Sequence, residues 1–134
     1  MISSDMSLQE LEREDWGEPT YNSHLVTTIH KIRRIPLRDW TIENFRIAIG
    51  QQMSLPILVP FALNTLEKNP LASGDFYEGD LLMATLRCED FLKENRAARE
   101  RVKQISEQAL IAIENEEFPD LFNDIVRQIN GFLK

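Results

Sequence analysis

Apolar residues along the chain recur mostly at intervals of three and four, which is the spacing of one face of an α-helix. Leu25, Ile29 and Ile32, for example, repeat at i, i+4 and i+7. No segment alternates apolar and polar residues convincingly, and no fixed repeat or low-complexity tract is present. The pattern predicts an all-α fold: one compact domain over residues 1–134, with about six or seven helices, in which residues 1–6 are disordered.

Capping residues and prolines mark the helix boundaries. Ser7 followed by Glu10 is a capping box, in which each side chain accepts a hydrogen bond from the other residue's backbone N–H. The other predicted boundaries are Asn22 or Ser23 before the second helix, Thr41 before the third, Ser54 before the fourth, Asp80 before the fifth, a break near Asn95, Pro119 at the start of the last helix and Asn130-Gly131 at its end. The apolar residues of that last helix include Leu121 and Ile125.

The predicted fourth helix, which ends near residue 68, is the most apolar segment. Nearly every residue from Leu55 to Leu63 is apolar, which marks this helix as the central buried one. Pro60 removes an internal hydrogen bond and predicts a kink. The apolar stretch is about half as long as a membrane span, so the sequence predicts no association with a membrane.

The compartment is inferred from two features. Cys88 is the only cysteine, which excludes an intramolecular disulfide and suits a reducing environment. Residues 1–5 lack the basic and apolar regions of a signal peptide. We therefore expect a soluble, cytoplasmic protein.

Charge is unevenly distributed along the chain. It has 15 Lys and Arg residues against 22 Asp and Glu residues, a net charge of −7. Residues 1–18 hold six acids and one base, whereas residues 19–40 hold four bases and one acid. We interpret these two segments as complementary within the fold. The overall acidity disfavours nucleic acid as a partner and favours a basic protein.

No set of catalytic residues or cofactor ligands is recognisable. His24 and His30 are about 240° apart on a helix, so they cannot share a metal ion from one face, and Cys88 adds no paired ligand spacing. Adjacent carboxylates are frequent, but this acid content produces such pairs by chance. The sequence predicts a binding protein without enzymatic activity, cofactor or metal.

Two aromatic features remain open to interpretation. Trp16 and Tyr21 either pin the N-terminal segment onto the core, the interpretation we favour, or offer an anchor for a partner. The segment around Tyr77 is either an acidic loop suited to a basic cleft or a turn followed by an N-cap, and both can hold at once.

Two strings of residues resemble a known family. They are LEREDWGEPTYNSHLV at residues 11–26 and NPLASGDFYEGDLL at residues 69–82, with Pro36-Leu37 and Ile49-Gly50-Gln51 between them. Over most of residues 8–90 the chain resembles the all-helical immunity proteins of contact-dependent growth inhibition (CDI) systems in Gram-negative bacteria.

This resemblance implies a cytoplasmic protein that binds the C-terminal toxin domain of its cognate effector, one-to-one, and covers the active site or substrate-binding face. Such toxins are often basic nucleases, which suits an acidic inhibitor. Because members neutralise different toxins, we expect specific contacts outside the two strings or at their exposed edges. The candidate partner-binding residues are Glu114, Glu116, Glu117, Asp120 and Asp124, followed by Tyr77, Glu78 and Asp80.

Two other functions compete with this one. The chain is alternatively an acidic helical adaptor unrelated to toxins, dimeric through the apolar surface of the fourth helix. A small hydrolase that uses a carboxylate pair is the third hypothesis.

Overall fold

The structure is a computed structural model that describes residues 3–20 and 23–134. Within those ranges it contains helices and no strand, which confirms the predicted all-α fold. The α-helices are α1 (Leu8–Glu12), α2 (His24–Ile32), α3 (Ile42–Gly50), α4 (Leu55–Lys68), α5 (Asp80–Leu86), α6 (Glu89–Glu94), α7 (Arg96–Glu114) and α8 (Asn123–Leu133). Two 3₁₀ helices, Leu37–Asp39 and Pro119–Phe122, complete the elements.

The predicted N-caps open three of the helices. Ser7 and Glu10 form the expected capping box at α1, with 3.2 Å between each backbone nitrogen and the side-chain oxygen of the other residue. Thr41 caps α3 in the same way, and the Ser23 hydroxyl accepts a hydrogen bond at the start of α2. Asn22, the alternative cap for α2, lies outside the described residues.

The centre of the fold is α5 rather than α4. All seven residues of α5 are buried, because this helix packs against α3, α4 and α8. Helix α4 contributes Leu58, Val59 and Leu63 to the same continuous core but leaves Pro56 and Pro60 exposed. The expectation that α4 is the central buried helix is therefore corrected: its apolar run includes residues that face solvent. The helix continues through Pro60, and the kink there stays a prediction.

The C-terminal third differs from the sequence prediction in two places. Pro119 opens a 3₁₀ helix of four residues, and α8 begins only at Asn123. Leu121 therefore lies outside α8 and is 80% exposed. Gly131 does not end the last helix, since the half-buried Phe132 that follows it still packs against the core. The break near Asn95 is confirmed, and the Asn95 side chain caps α7.

The acidic N-terminal segment pairs with the basic segment that follows it, as predicted. Arg33, at the end of α2, is buried against Glu12, and Arg34 reaches Glu18. Arg38 forms an ion pair with Asp5 at 2.6 Å. These contacts neutralise much of both segments within the fold.

Trp16 joins the same contacts. The Arg33 guanidinium lies 4.2 Å from the centroid of the Trp16 ring, and the His30 ring meets it edge-on at 5.4 Å. Trp16 thus contacts α2 but is itself 41% exposed, so the favoured interpretation, that it pins the segment onto the core, stays a prediction. Tyr21 lies outside the described residues.

The start of the described chain contacts the 3₁₀ helix Leu37–Asp39. Ser4 and Met6 accept backbone hydrogen bonds from residues 38 and 37, and the disorder expected for residues 1–6 stays a prediction. Residues 1 and 2 lie outside the described part. Leu25, which the periodicity places on one helix face with Ile29 and Ile32, is 40% exposed and lies in the first turn of α2, whereas Ile29 and Ile32 are buried.

Candidate functional site

A groove of about 700 Å³ lies between α5 and the C-terminal segment. We call it the C-terminal groove. One side is formed by the loop that precedes α5, and the other by the segment from residue 116 to 128. The lining residues are Tyr77, Glu78, Met83, Arg87, Glu116, Glu117, Phe118, Leu121, Phe122, Asp124, Ile125, Arg127 and Gln128.

The first side of the groove depends on Asp80, the first residue of α5. Its carboxylate accepts hydrogen bonds from the backbone N–H groups of Gly74, Phe76 and Tyr77, at 2.6, 3.1 and 3.3 Å. Asp80 is only 2% exposed. Its expected role as a partner contact is therefore corrected: this side chain folds the loop and is not available to a partner.

Arg46 on α3 supports the same loop from below. Its guanidinium forms two hydrogen bonds of 2.6 Å with Glu43 and lies 3.8 Å from the Asp80 carboxylate. The hydrogen bonds from Arg46 lower the pKa of Glu43 and raise that of Arg46. The guanidinium also lies 4.0 Å from the centroid of the Phe76 ring. Arg46 thus links both carboxylates to an aromatic side chain of the loop.

The second side of the groove is built by the turn between α7 and α8. Because Pro119 begins a 3₁₀ helix, the residues around it are not absorbed into an amphipathic α-helix. Phe118 is 61% exposed and Leu121 is 80% exposed, and both line the groove. The floor beneath them is apolar, since Ile125 of α8 is buried there.

Carboxylates outnumber guanidinium groups around the groove. Asp124 and Arg127 lie 3.4 Å apart as an exposed pair, which contributes little net charge. Glu78, Glu116 and Glu117 are exposed and form no ion pair with any residue that the structure describes. The groove therefore combines an apolar floor and aromatic side chains with an excess of negative charge at its edge.

The structure brings together two groups of candidate residues that lie far apart in the sequence. Tyr77 and Glu78 face Glu116, Glu117 and Asp124 across the groove. Two further candidates, Glu114 at the end of α7 and Asp120 in the 3₁₀ helix, are exposed nearby but do not line the groove.

Sequence reasoning named Tyr77 but missed the other exposed apolar residues. Phe118 and Leu121 line the groove, and Phe76 lies next to Tyr77 in the loop before α5 without lining it. The sequence does contain a signal for the exposure of Phe118. This residue precedes Pro119, and a residue that precedes proline is disfavoured in an α-helix. That preference places Phe118 in an irregular segment, where no helical face covers it.

The chemistry available at this surface is that of binding. Within residues 3–20 and 23–134 no group of three or more His, Cys, Asp or Glu side chains is arranged to hold a metal ion. Burial raises the pKa of the Cys88 thiol to about 11, which keeps this group protonated near neutral pH. In the same ranges no helix has the length and apolar character needed to cross a membrane. The molecule is thus an all-α protein whose groove has the aromatic and charged side chains that suit contact with another protein.

Comparison with known families identifies the class more narrowly. A family model described as CDI immunity proteins matches residues 10–102, which is more than half of the chain, and the chain belongs to that family. Membership implies an immunity protein that binds a cognate CDI toxin, and such proteins are generally not enzymes. No curated protein and no solved structure gave a significant match. The matched region includes the loop before α5, whereas the other side of the groove lies beyond residue 102.

Proposed function

We propose that this chain neutralises a nuclease toxin by binding its C-terminal toxin domain one-to-one through the C-terminal groove. Bound there, the chain covers the active site or the substrate-binding face of the toxin. The observation that carries this proposal is the juxtaposition of exposed aromatic side chains with unpaired carboxylates at one surface of a CDI immunity protein.

Charge supports the choice of a nuclease. A nuclease that acts on tRNA or DNA presents Lys and Arg side chains to the phosphate backbone. Glu116, Glu117 and Glu78 offer carboxylates at the edge of the groove that can meet the same cationic side chains. Such complementarity accelerates association and excludes uncharged or acidic partners, so it favours the toxin over other proteins.

Apolar contact supports tight binding at the same place. Hot spots of protein interfaces are enriched in aromatic residues, and a polar rim shields them from water. Tyr77 and Phe118 lie on opposite sides of the groove, and the acids flank them. The backbone of the loop on the first side of the groove is held by hydrogen bonds within the fold, which reduces the ordering cost of association.

The test is binding to the toxin domain encoded beside this gene. The toxin domain is titrated with the chain at low and high salt, and cleavage of tRNA and DNA is followed in parallel. We expect a one-to-one complex that weakens as salt rises and that abolishes cleavage. A toxin domain that kills cells without cleaving nucleic acid would remove the nuclease assignment, and the absence of any complex would remove the proposed function.

Charge reversal locates the interface. Glu116→Lys combined with Glu117→Lys is expected to weaken binding at least about tenfold, mainly through slower association. The matched control is Glu94→Lys combined with Glu100→Lys, which makes the same charge change at exposed positions outside the groove. Equal losses of toxin affinity in both double variants would show that the net charge of the chain, and not the groove, determines binding.

A further inference from the structure

The loop between α4 and α5 is fixed at every amide from residue 74 to 77. The Asp80 carboxylate accepts hydrogen bonds from the backbone N–H groups of residues 74, 76 and 77. The carboxylate of Glu43 on α3 accepts a hydrogen bond from the backbone N–H of Asp75 at 3.0 Å. These carboxylates come from two different helices and approach the loop from two directions. A connecting loop rarely has all of its amides held by charged side chains, because loops usually hydrogen-bond to water.

Two glycines lie where the loop comes close to neighbouring helices. A Cβ atom added to Gly74 would lie 2.5 Å from Glu43 Oε1, so a side chain there would displace this carboxylate from the loop. Gly79 closes the loop with φ of +90°, a conformation that favours glycine, and a Cβ there would lie 2.7 Å from Ile125 Cδ1 of α8. The loop backbone therefore packs closely against α3 and α8.

This rigid backbone presents aromatic surface to solvent. Phe76 is 71% exposed and Tyr77 is 46% exposed, although Arg46 covers part of the Phe76 ring. Burying charged groups such as Asp80 costs free energy that a simple helix connection does not require. Burial of Asp80 fixes the loop, and a fixed loop holds the rings of Phe76 and Tyr77 in the orientation that a partner would contact.

We propose that Phe76 and Tyr77 form a preorganised aromatic anchor for the toxin and that Glu43 is a positioning residue for it. The inference rests on the proposed function. The partner surface it fits is an apolar recess with a cationic edge. The two aromatic rings would bind in the recess, and the cationic edge would contact the carboxylates of Asp75 and Glu78. These two acids are exposed and flank Phe76 and Tyr77 in the sequence.

Preorganisation explains why a residue that is distant in the sequence affects binding. Glu43 fixes the Asp75 amide and orients Arg46, and Arg46 in turn lies against the Phe76 ring. Without Glu43 the loop gains freedom that binding must remove again, so affinity falls although no toxin contact is lost. Glu43 thus acts through Phe76.

The experiment measures affinity and rate constants for the toxin domain with single and double variants. Phe76→Ala and Tyr77→Ala are each expected to lower affinity at least about tenfold, mainly through faster dissociation. Glu43→Ala is expected to lower it about fivefold to tenfold, and Glu43→Gln less, because the amide oxygen still accepts the Asp75 N–H. Thermal unfolding of each variant verifies that it remains folded.

A matched control is available in the chain. Glu67 on α4 forms a second bidentate pair, with Arg101 on α7 at 2.7 and 3.0 Å, away from the loop. Glu67→Ala removes an arginine–glutamate pair of the same geometry and is expected to leave toxin affinity unchanged within about twofold.

A double-mutant cycle separates positioning from general stability. If Glu43 acts through the anchor, Glu43→Ala costs little affinity once Phe76 is already alanine. Hydrogen exchange is expected to become faster at the amides of residues 74–77 in Glu43→Ala, with the core helices still protected. Additive losses in the cycle would overturn the positioning role.

The remaining outcomes separate this inference from the proposed function. If the wild-type chain binds the toxin domain and the Phe76→Ala and Tyr77→Ala variants bind equally well, the anchor is overturned and the immunity function stands. If the wild-type chain binds no toxin domain, the proposed function fails and the anchor fails with it.

Discussion

The guanidinium of Arg33 is buried against the carboxylate of Glu12, and this pair joins the N-terminal segment to α2. Arg33 also donates to the backbone oxygen of Glu14 at 3.0 Å, and Glu12 accepts a hydrogen bond from the Ser54 hydroxyl at 2.7 Å. Two charged side chains thus hold α1, the end of α2 and the start of α4 together.

Removal of Arg33 should therefore destabilise the fold. In Arg33→Ala the Glu12 carboxylate remains partly buried without its partner, and the free energy of unfolding is expected to fall by about 3 kcal/mol. Chemical denaturation measures this change. Arg34→Ala is the control, because the neighbouring arginine is 42% exposed and its pairs are long; its loss should stay below about 1 kcal/mol. Similar losses of unfolding free energy in both variants would mean that the buried Arg33 pair stabilises the fold no more than the exposed Arg34 pairs do.

Part of this arrangement could be predicted from the sequence. Opposite charge in consecutive segments indicated that residues 1–18 and 19–40 pair within the fold, and capping residues indicated where α1 and α3 begin. Local physics determines both features, so a single sequence reveals them.

The candidate site could be predicted only in part. Acid clustering indicated Glu116, Glu117 and Glu78, but the meeting of these residues depends on how α5 packs against α8, which periodicity does not reveal. The same long-range packing determines that Asp80 is buried and that Leu121 is exposed. Propensity assigned Leu121 to an α-helix, whereas the short 3₁₀ helix at Pro119 places it in solvent.

Stability should depend on pH through Glu43. The hydrogen bonds from Arg46 lower the pKa of this carboxyl in the folded state below its ordinary value of 4.5. The unfolded chain therefore binds a proton first as the pH falls, and the stabilisation by Glu43 is complete above pH 4.5 and is lost as the pH falls toward the folded pKa.

The measurement for Glu43 is the free energy of unfolding of the wild-type chain and of Glu43→Gln from pH 7 to pH 3. We expect a difference between the two proteins that is constant at the upper end and shrinks below about pH 4.5. A difference that stays the same over the whole range would show that Glu43 does not contribute through its charge.

The thiol of Cys88 should be unreactive in the folded chain. Its pKa of about 11 leaves roughly a hundredfold less thiolate at pH 8 than the ordinary value of 9.0 would. The side chain is also 1% exposed. A thiol reagent at pH 8 should label the unfolded chain within minutes and the native chain far more slowly. Equally fast labelling under native conditions would contradict the burial of Cys88.

The two exposed apolar residues of the 3₁₀ segment should matter for binding and not for folding. Phe118→Ala and Leu121→Ala remove side chains that are 61% and 80% exposed, so each should change the free energy of unfolding by less than about 0.5 kcal/mol. Both line the C-terminal groove, and each should lower toxin affinity about tenfold.

Ile129→Ala is the control for this prediction, because it should affect folding and not binding. Ile129 is fully buried on α8, and its truncation should cost about 3 kcal/mol of unfolding free energy through the cavity it leaves. Measured at a temperature where the variant is still folded, its toxin affinity should remain close to that of the wild-type chain, because the side chain does not line the groove. If Phe118→Ala and Leu121→Ala instead destabilise the fold and leave binding unchanged, the segment around Pro119 belongs to the core and the toxin binds elsewhere.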